Sequence, residues 1–151
     1  MSKKLDVGCG HAKPTGWSGM DRRPHNGVDI VHDIEVLPWP IKDSSYSDVR
    51  MNHVLEHLDP RNMVDIFDEV WRVLEPNGLF HVAVPYAGSF GGMSDPTHMR
   101  SGFTERSFEY FDPSYPMYRV YQSKPYTIIK LDYTEGVEVQ VLLRSQKKVT
   151  R

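Results

Sequence analysis

At 151 residues the chain is long enough to bury one core and too short for two, so residues 1–151 are read as a single domain. Hydrophobic residues make up 39% and charged residues 25%, a balance ordinary for a soluble globular protein. A net charge of −2 excludes a protein that coats nucleic acid by bulk charge, although a specific nucleic-acid substrate stays compatible with it. The single cysteine, Cys9, allows no internal disulfide and suits a reducing, cytoplasmic setting. No apolar run approaches ~20 residues, and Met1 opens no signal-like segment.

In chain order, Leu5-Asp6-Val7 reads as a short strand that runs straight into Gly8-Cys9-Gly10. A turn-rich stretch with Pro14, Gly16 and Gly19 leads to Met20-Asp21, the end of a second strand, and Val28 to Val31 is a third. Pro38, Pro40 and the polar run Lys42 to Ser47 mark a loop before a strand over Asp48 to Asn52. A helix is predicted over residues 60–74, capped by Asp59 with Pro60 at its first position. Met63, Ile66, Phe67, Val70 and Leu74 form its apolar stripe, and Pro76 and Gly78 stop it. Leu79 to Val84 is a buried strand ending at Pro85. Thr104 caps a short helix through Phe111, and Thr127–Tyr133 and Val137–Arg144 pair as a hairpin around Glu135-Gly136. Strands alternating with helical segments and closing on a hairpin predict an α/β fold. The sheet is Rossmann-like, doubly wound and mostly parallel, with an antiparallel final strand.

Glycines directly after a strand let the backbone turn sharply and approach a ligand with no Cβ in the way, as Gly8 and Gly10 can do. Three aspartates fall at successive strand ends: Asp6 in the first, Asp21 closing the second and Asp33 after the third. Carboxylates so placed can accept hydrogen bonds from a ribose diol or an exocyclic amine.

Six landmarks occur in order: Leu5-Asp6-Val7-Gly8-Cys9-Gly10, Gly19-Met20-Asp21, His32-Asp33, Leu37-Pro38, Asn52-His53-Val54-Leu55-Glu56-His57-Leu58 and Leu74-Glu75-Pro76-Asn77-Gly78-Leu79. Together they resemble the signature of class I S-adenosylmethionine-dependent methyltransferases, over residue 5 to about residue 85. The resemblance implies S-adenosyl-L-methionine as cofactor. Gly8, Cys9 and Gly10 would border its methionine moiety, with Asp6 helping to hold the ammonium group. Asp21 would accept from the ribose hydroxyls, Asp33 from the adenine amine with Ile34 beside the ring, and Asn52 would face the methyl donor. Trp39 is a candidate hydrophobic neighbour of the adenine, or a core residue. The sequence departs from the family in lacking the third loop glycine, where His11-Ala12-Lys13 stands. Only 15 positions separate Asp6 from Asp21, and few residues precede the first strand, so a more open cofactor site is expected. Thin cover of that kind makes a homodimer or a partner subunit an expectation to test.

His53-Val54-Leu55-Glu56-His57 also matches the H-x-x-E-H zinc-peptidase pattern, in which two histidines share one helix face. No third ligand is evident, the same residues already serve the methyltransferase landmark, and no metal is expected. Residues 86–125 form a lid or substrate-side segment. Within it His98 is the candidate general base, Asp95 its orienting carboxylate and Arg100 a holder of an anionic group. Tyr110, Phe111, Tyr115, Tyr118 and Tyr121 are read as packing, or as an aromatic acceptor pocket. The expected reaction is methyl transfer to an unidentified O, N or C acceptor, a small molecule being favoured. A non-catalytic cofactor- or partner-binding module is the alternative. A nicotinamide dehydrogenase is disfavoured by the glycine pattern, by Asp33 and by the missing substrate domain.

Overall fold

Period-two alternation decides which face of each strand is buried. In Tyr46–Asn52 the buried Val49 and Met51 alternate with Asp48, Arg50 and Asn52, and in Leu74–Pro85 the buried Phe80, Val82 and Val84 alternate with His81 and Ala83. A computed structural model describes residues 2–99 and 102–149. Its seven strands are β1 (Lys4–Val7), β2 (Ser18–Asp21), β3 (Ile30–Val31), β4 (Tyr46–Asn52), β5 (Leu74–Pro85), β6 (Tyr126–Thr134) and β7 (Glu138–Ser145). They form one sheet in the order β3-β2-β1-β4-β5-β7-β6. Strands β1 to β5 run parallel, and β7 is antiparallel to both β5 and β6. The sheet is thus mostly parallel with an antiparallel final strand. Chain order reverses between β1 and β4, which creates a crevice at their carboxyl ends.

The helix predicted over 60–74 divides in two. Pro60–Asn62 is a 3₁₀ turn whose Asp59 cap accepts from Arg61 N–H at 2.9 Å, and α1 spans Met63–Val73. Met63, Ile66, Phe67 and Val70 are buried as the stripe requires. Leu74 belongs instead to β5, paired with Tyr46, so the strand begins five residues before Leu79 and runs through Pro76 and Gly78. Leu74 is fully buried, which satisfies a helical stripe and a strand equally.

The helical layer lies where α1 and the 3₁₀ helix Glu105–Phe111 meet. Phe67 stacks on Phe111 with ring centroids 3.7 Å apart and meets Phe80 and Tyr126 edge-on. Thr104 caps that 3₁₀ helix, as its sequence predicts, and does so in a capping box with Ser107. Phe111 is core and Tyr110 leans on Tyr121, whereas Tyr115 and Tyr121 are exposed, so the tyrosine-rich stretch is packing only in part. Among the described residues no helix follows β1, β2 or β3. The loop before β4 is latched to α1 instead: Glu69 Oε1 accepts from Trp39 N–H and Arg72 Nη2, both at 2.6 Å, and Arg72 Nη1 also donates to Asp43 and to the Ile41 carbonyl. Lys147 donates to the carbonyls of Arg72 and Leu74 and so caps the end of α1. The opposite sheet face carries a polar groove of about 310 Å³ lined by Arg50, Asn52, His81, Lys130, Asp132 and Gln140. No helix among the described residues is long and apolar enough to cross a membrane.

Candidate functional site

The site starts where β1 ends. Gly8 N–H and Cys9 N–H both donate to the Met20 carbonyl, at 2.7 and 3.2 Å, folding the loop across the end of β2. Gly8 has φ +68, and a Cβ there would lie 2.6 Å from Val54 Cγ2, so glycine is required by both conformation and space. Gly10, at φ +49, donates its N–H to Asp21 Oδ2 at 3.0 Å, while Asp21 Oδ1 accepts from Arg23 N–H at 3.0 Å. Burial pushes the Asp21 carboxyl up, but those two N–H bonds with the nearby His25 and Arg23 outweigh it, and the group sits below the usual carboxylate range. Each oxygen keeps a further lone pair for a ligand.

These elements enclose a cleft of about 500 Å³ outside the carboxyl ends of β1, β2 and β4. Gly8, Asp21, Asp33, Ile34 and Asp95 line it, together with His53, Val54, His57 and Thr97. Asp33 is exposed and accepts from Glu35 N–H, with Ile34 beside it. Cys9 is buried behind the loop, where burial and then the charges of Asp6 and Asp21 push its thiol up. Asp6 and Asn52 do not line this cleft. Both share strand parity with the opposite sheet face: Asn52 lines the polar groove, and Asp6 takes a bidentate ion pair from Arg50 at 2.9 Å, with Trp17 over the guanidinium. Trp39 is a core residue, its Nε1–H held by the Ile34 carbonyl at 2.9 Å, and does not line the cleft.

His98 lies beneath the cleft's outer wall, its side chain 7% exposed, with Nδ1–H donating to the Gly92 carbonyl at 3.0 Å. Its ring meets His57 edge-on with centroids 4.5 Å apart. Asp95 Oδ2 stands 3.6 Å from His98 Nε2, beyond hydrogen-bond range, because Asp95 Oδ1 is engaged by the N–H and hydroxyl of Thr97. Arg100 lies outside the described residues. His53 and His57 do not share a helix: His53 is a left-handed residue at φ +54, and only Leu55–His57 form a short 3₁₀ turn. That overturns the one-face geometry behind the zinc-peptidase pattern. His53, Val54, His57 and Thr97 are among the cleft residues that sequence reasoning did not assign to the cofactor site. Their signal was proximity to the ends of β4 and β5.

The methyltransferase domain family matches residues 18–82, from β2 through β5. That likeness to a methyltransferase domain spans 65 of the chain's 151 residues. The match begins beyond the glycine loop. The 1,6-didemethyltoxoflavin-N1-methyltransferase of Burkholderia thailandensis, solved with S-adenosylhomocysteine, is 13% identical at a TM-score of 0.70, over 97% of this chain and 72% of that one. A Thermotoga maritima S-adenosylmethionine-dependent methyltransferase is 18% identical at a TM-score of 0.65, over 97% and 83%. A Haloferax volcanii chain in complex with the Trm112 methyltransferase activator is 14% identical at a TM-score of 0.64, over 97% and 83%. At such identities the likeness is one of fold. No curated protein matches the sequence. Relative to the doubly wound pattern, this chain has turns and loops in place of crossover helices after β1, β2 and β3 among the described residues, so its switch-point cleft is walled by loops.

Proposed function

We propose that the cleft of this chain holds S-adenosyl-L-methionine and that the protein transfers its methyl group to an acceptor, most simply a small molecule, entering beside His57 and Thr97. The observation that carries this reading is the gathering of Gly8, Asp21, Asp33 and Ile34 around a single cleft at the switch point. Asp21 would take the ribose hydroxyls on its remaining lone pairs. Asp33 would take the adenine amine with Ile34 against the ring, and the Gly8-Cys9-Gly10 turn would bring backbone to the methionine moiety. Asp6 would act through the loop by holding Arg50, and Asn52 from the far face of β4, so neither touches the cofactor directly.

In the reaction the nucleophile forms its bond to the methyl carbon as the C–S bond breaks and its electron pair passes to sulfur. The protein's part is to align those atoms and exclude water. His98 and Asp95 stand on the acceptor side. The buried free thiol of Cys9 supports a cytoplasmic setting. The helix-free sheet face supports a second copy or an activator subunit as partner. A non-catalytic module is the second reading, favoured by the loop-built walls of the cleft. Calorimetric titration with S-adenosylmethionine and S-adenosylhomocysteine, with NAD as control, tests the proposal. Selective one-to-one binding of the sulfonium pair supports it, and absence of binding by folded protein overturns it.

A further inference from the structure

We infer that Glu56, His57 and His98 form a binding site for a first-row divalent metal ion, of zinc or manganese type, in the acceptor half of the cleft. One ligand atom from each of the three lies within 4.8 Å of the others. Two ligands on one tetrahedral ion at bond lengths near 2.1 Å stand about 3.4 Å apart, so side-chain movements totalling roughly 1.4 Å between a pair close the set.

The neighbours fix what these atoms offer. Thr97 Oγ1 gives its proton to Asp95 Oδ1 at 2.7 Å, so it accepts from His57 Nδ1–H at 3.0 Å. The Gly92 carbonyl can only accept, so His98 Nδ1 also carries its proton. In the neutral tautomers both Nε2 atoms are left as bare lone pairs, the form that ligates metals. Glu56 is 1% exposed, and its Oε2 has no hydrogen-bond partner, a costly state for a buried carboxylate. The Asp95 carboxylate adds negative charge 3.6 Å from His98 Nε2. Glu56 Oε1 has His53 Nδ1 at 3.3 Å, but Oε2 and the two Nε2 lone pairs are acceptors without a donor, a conflict that a cation resolves. The frame is tied, since Met99 N–H donates to the Glu56 carbonyl at 2.9 Å and holds the His98 segment to the Leu55–His57 turn. Two imidazoles and one carboxylate suit zinc, manganese or iron better than magnesium or calcium.

Three protein ligands leave coordination positions open, and His57, Asp95 and Thr97 line the cleft that an acceptor would enter. The site thus points to a hydroxyl acceptor. Bound to the ion, the hydroxyl loses its proton to water, and its oxygen attacks the methyl carbon as the C–S pair returns to sulfur. This use rests on the S-adenosylmethionine reading, whereas metal binding does not.

The test is titration of untagged, chelator-stripped full chain with Mn²⁺ alone, followed by electron paramagnetic resonance, and with Zn²⁺ by calorimetry. One ion per chain is expected, weakened at least about tenfold in His98→Gln and in Glu56→Gln. If Glu56→Gln fails to fold by circular dichroism, His57→Gln takes its place. His25→Gln, in the His11–His25 stack with centroids 4.1 Å apart, should leave binding unchanged. No stoichiometric binding overturns the site, as does binding lost in His25→Gln but kept in His98→Gln. S-adenosylhomocysteine titrated into the same samples separates the two readings: its binding without Mn²⁺ binding removes the metal site alone, and the reverse removes the cofactor reading alone.

Discussion

Gly8 lies directly against Val54, so close that a Cβ on Gly8 would fall 2.6 Å from Val54 Cγ2. The loop leaving β1 and the turn leaving β4 thus form one surface, and the missing side chain is what lets them meet.

Gly8→Ala should destabilise the protein by about 1–3 kcal/mol, from the positive φ and the overpacking together. It should also displace the loop from the cleft and weaken S-adenosylhomocysteine binding. Urea denaturation and calorimetry check both. Val54→Ala in the same background relieves the clash but not the backbone strain, so partial recovery is expected.

Asp21→Ala should weaken S-adenosylhomocysteine binding at least about tenfold, since it removes charged acceptors facing the ligand and the anchor of Gly10 N–H. Asp33→Ala should cost less, because Asp33 is exposed and its adenine contact is rim-like. Unchanged affinity in Asp21→Ala takes that residue out of the cofactor site.

Arg50→Met leaves the Asp6 carboxylate buried without its bidentate partner. We expect a loss of about 3 kcal/mol, the low end for such pairs because Arg50 is itself 28% exposed. Adding Asp6→Leu should restore much of it. Calorimetric affinity for S-adenosylhomocysteine in the refolded double variant then tells whether Asp6 serves the ligand or only the loop.

Glu69 gives acid sensitivity of defined sign. Burial pushes its carboxyl up, but Arg72 and the Trp39 N–H outweigh that, so its folded value lies below its ordinary 4.5. Its contribution is therefore complete above about pH 4.5 and fades as the pH falls through the lower folded value. The urea midpoint of Glu69→Gln should lie below that of the native chain at pH 7, with the gap narrowing only below about pH 4.5. A gap independent of pH down to 3 contradicts the latch.

His98→Ala should slow methyl transfer at least about a hundredfold once an acceptor is in hand, while cofactor binding is spared. Single-turnover rates beside calorimetry separate the two, and an unaltered rate removes His98 from the acceptor side.

Several features were legible in the chain because they are local. The turn after Val7 needs residues tolerant of positive φ, and Gly8 and Gly10 stand there. The α1 stripe and the Thr104 capping box act within a few residues, as does the turn of the β6–β7 hairpin. Leu74 shows the limit: a fully buried leucine satisfies a helix stripe and a strand alike, and pairing with Tyr46 decided between them.

What the sequence determined by itself is therefore the order of elements, the glycine turn and the aspartates at the strand ends. Each follows from backbone stereochemistry and short-range periodicity. Only the tertiary structure decided which way those side chains face. Parallel register sets Asp6 opposite Arg50 and sends both to the far side of the sheet, with Asn52 in the same parity. It also brought His98 to His57 across 41 residues of chain, joined to a buried carboxylate that no local pattern could place there. Such meetings depend on how loops close over a sheet, and loop closure is governed by packing between distant segments.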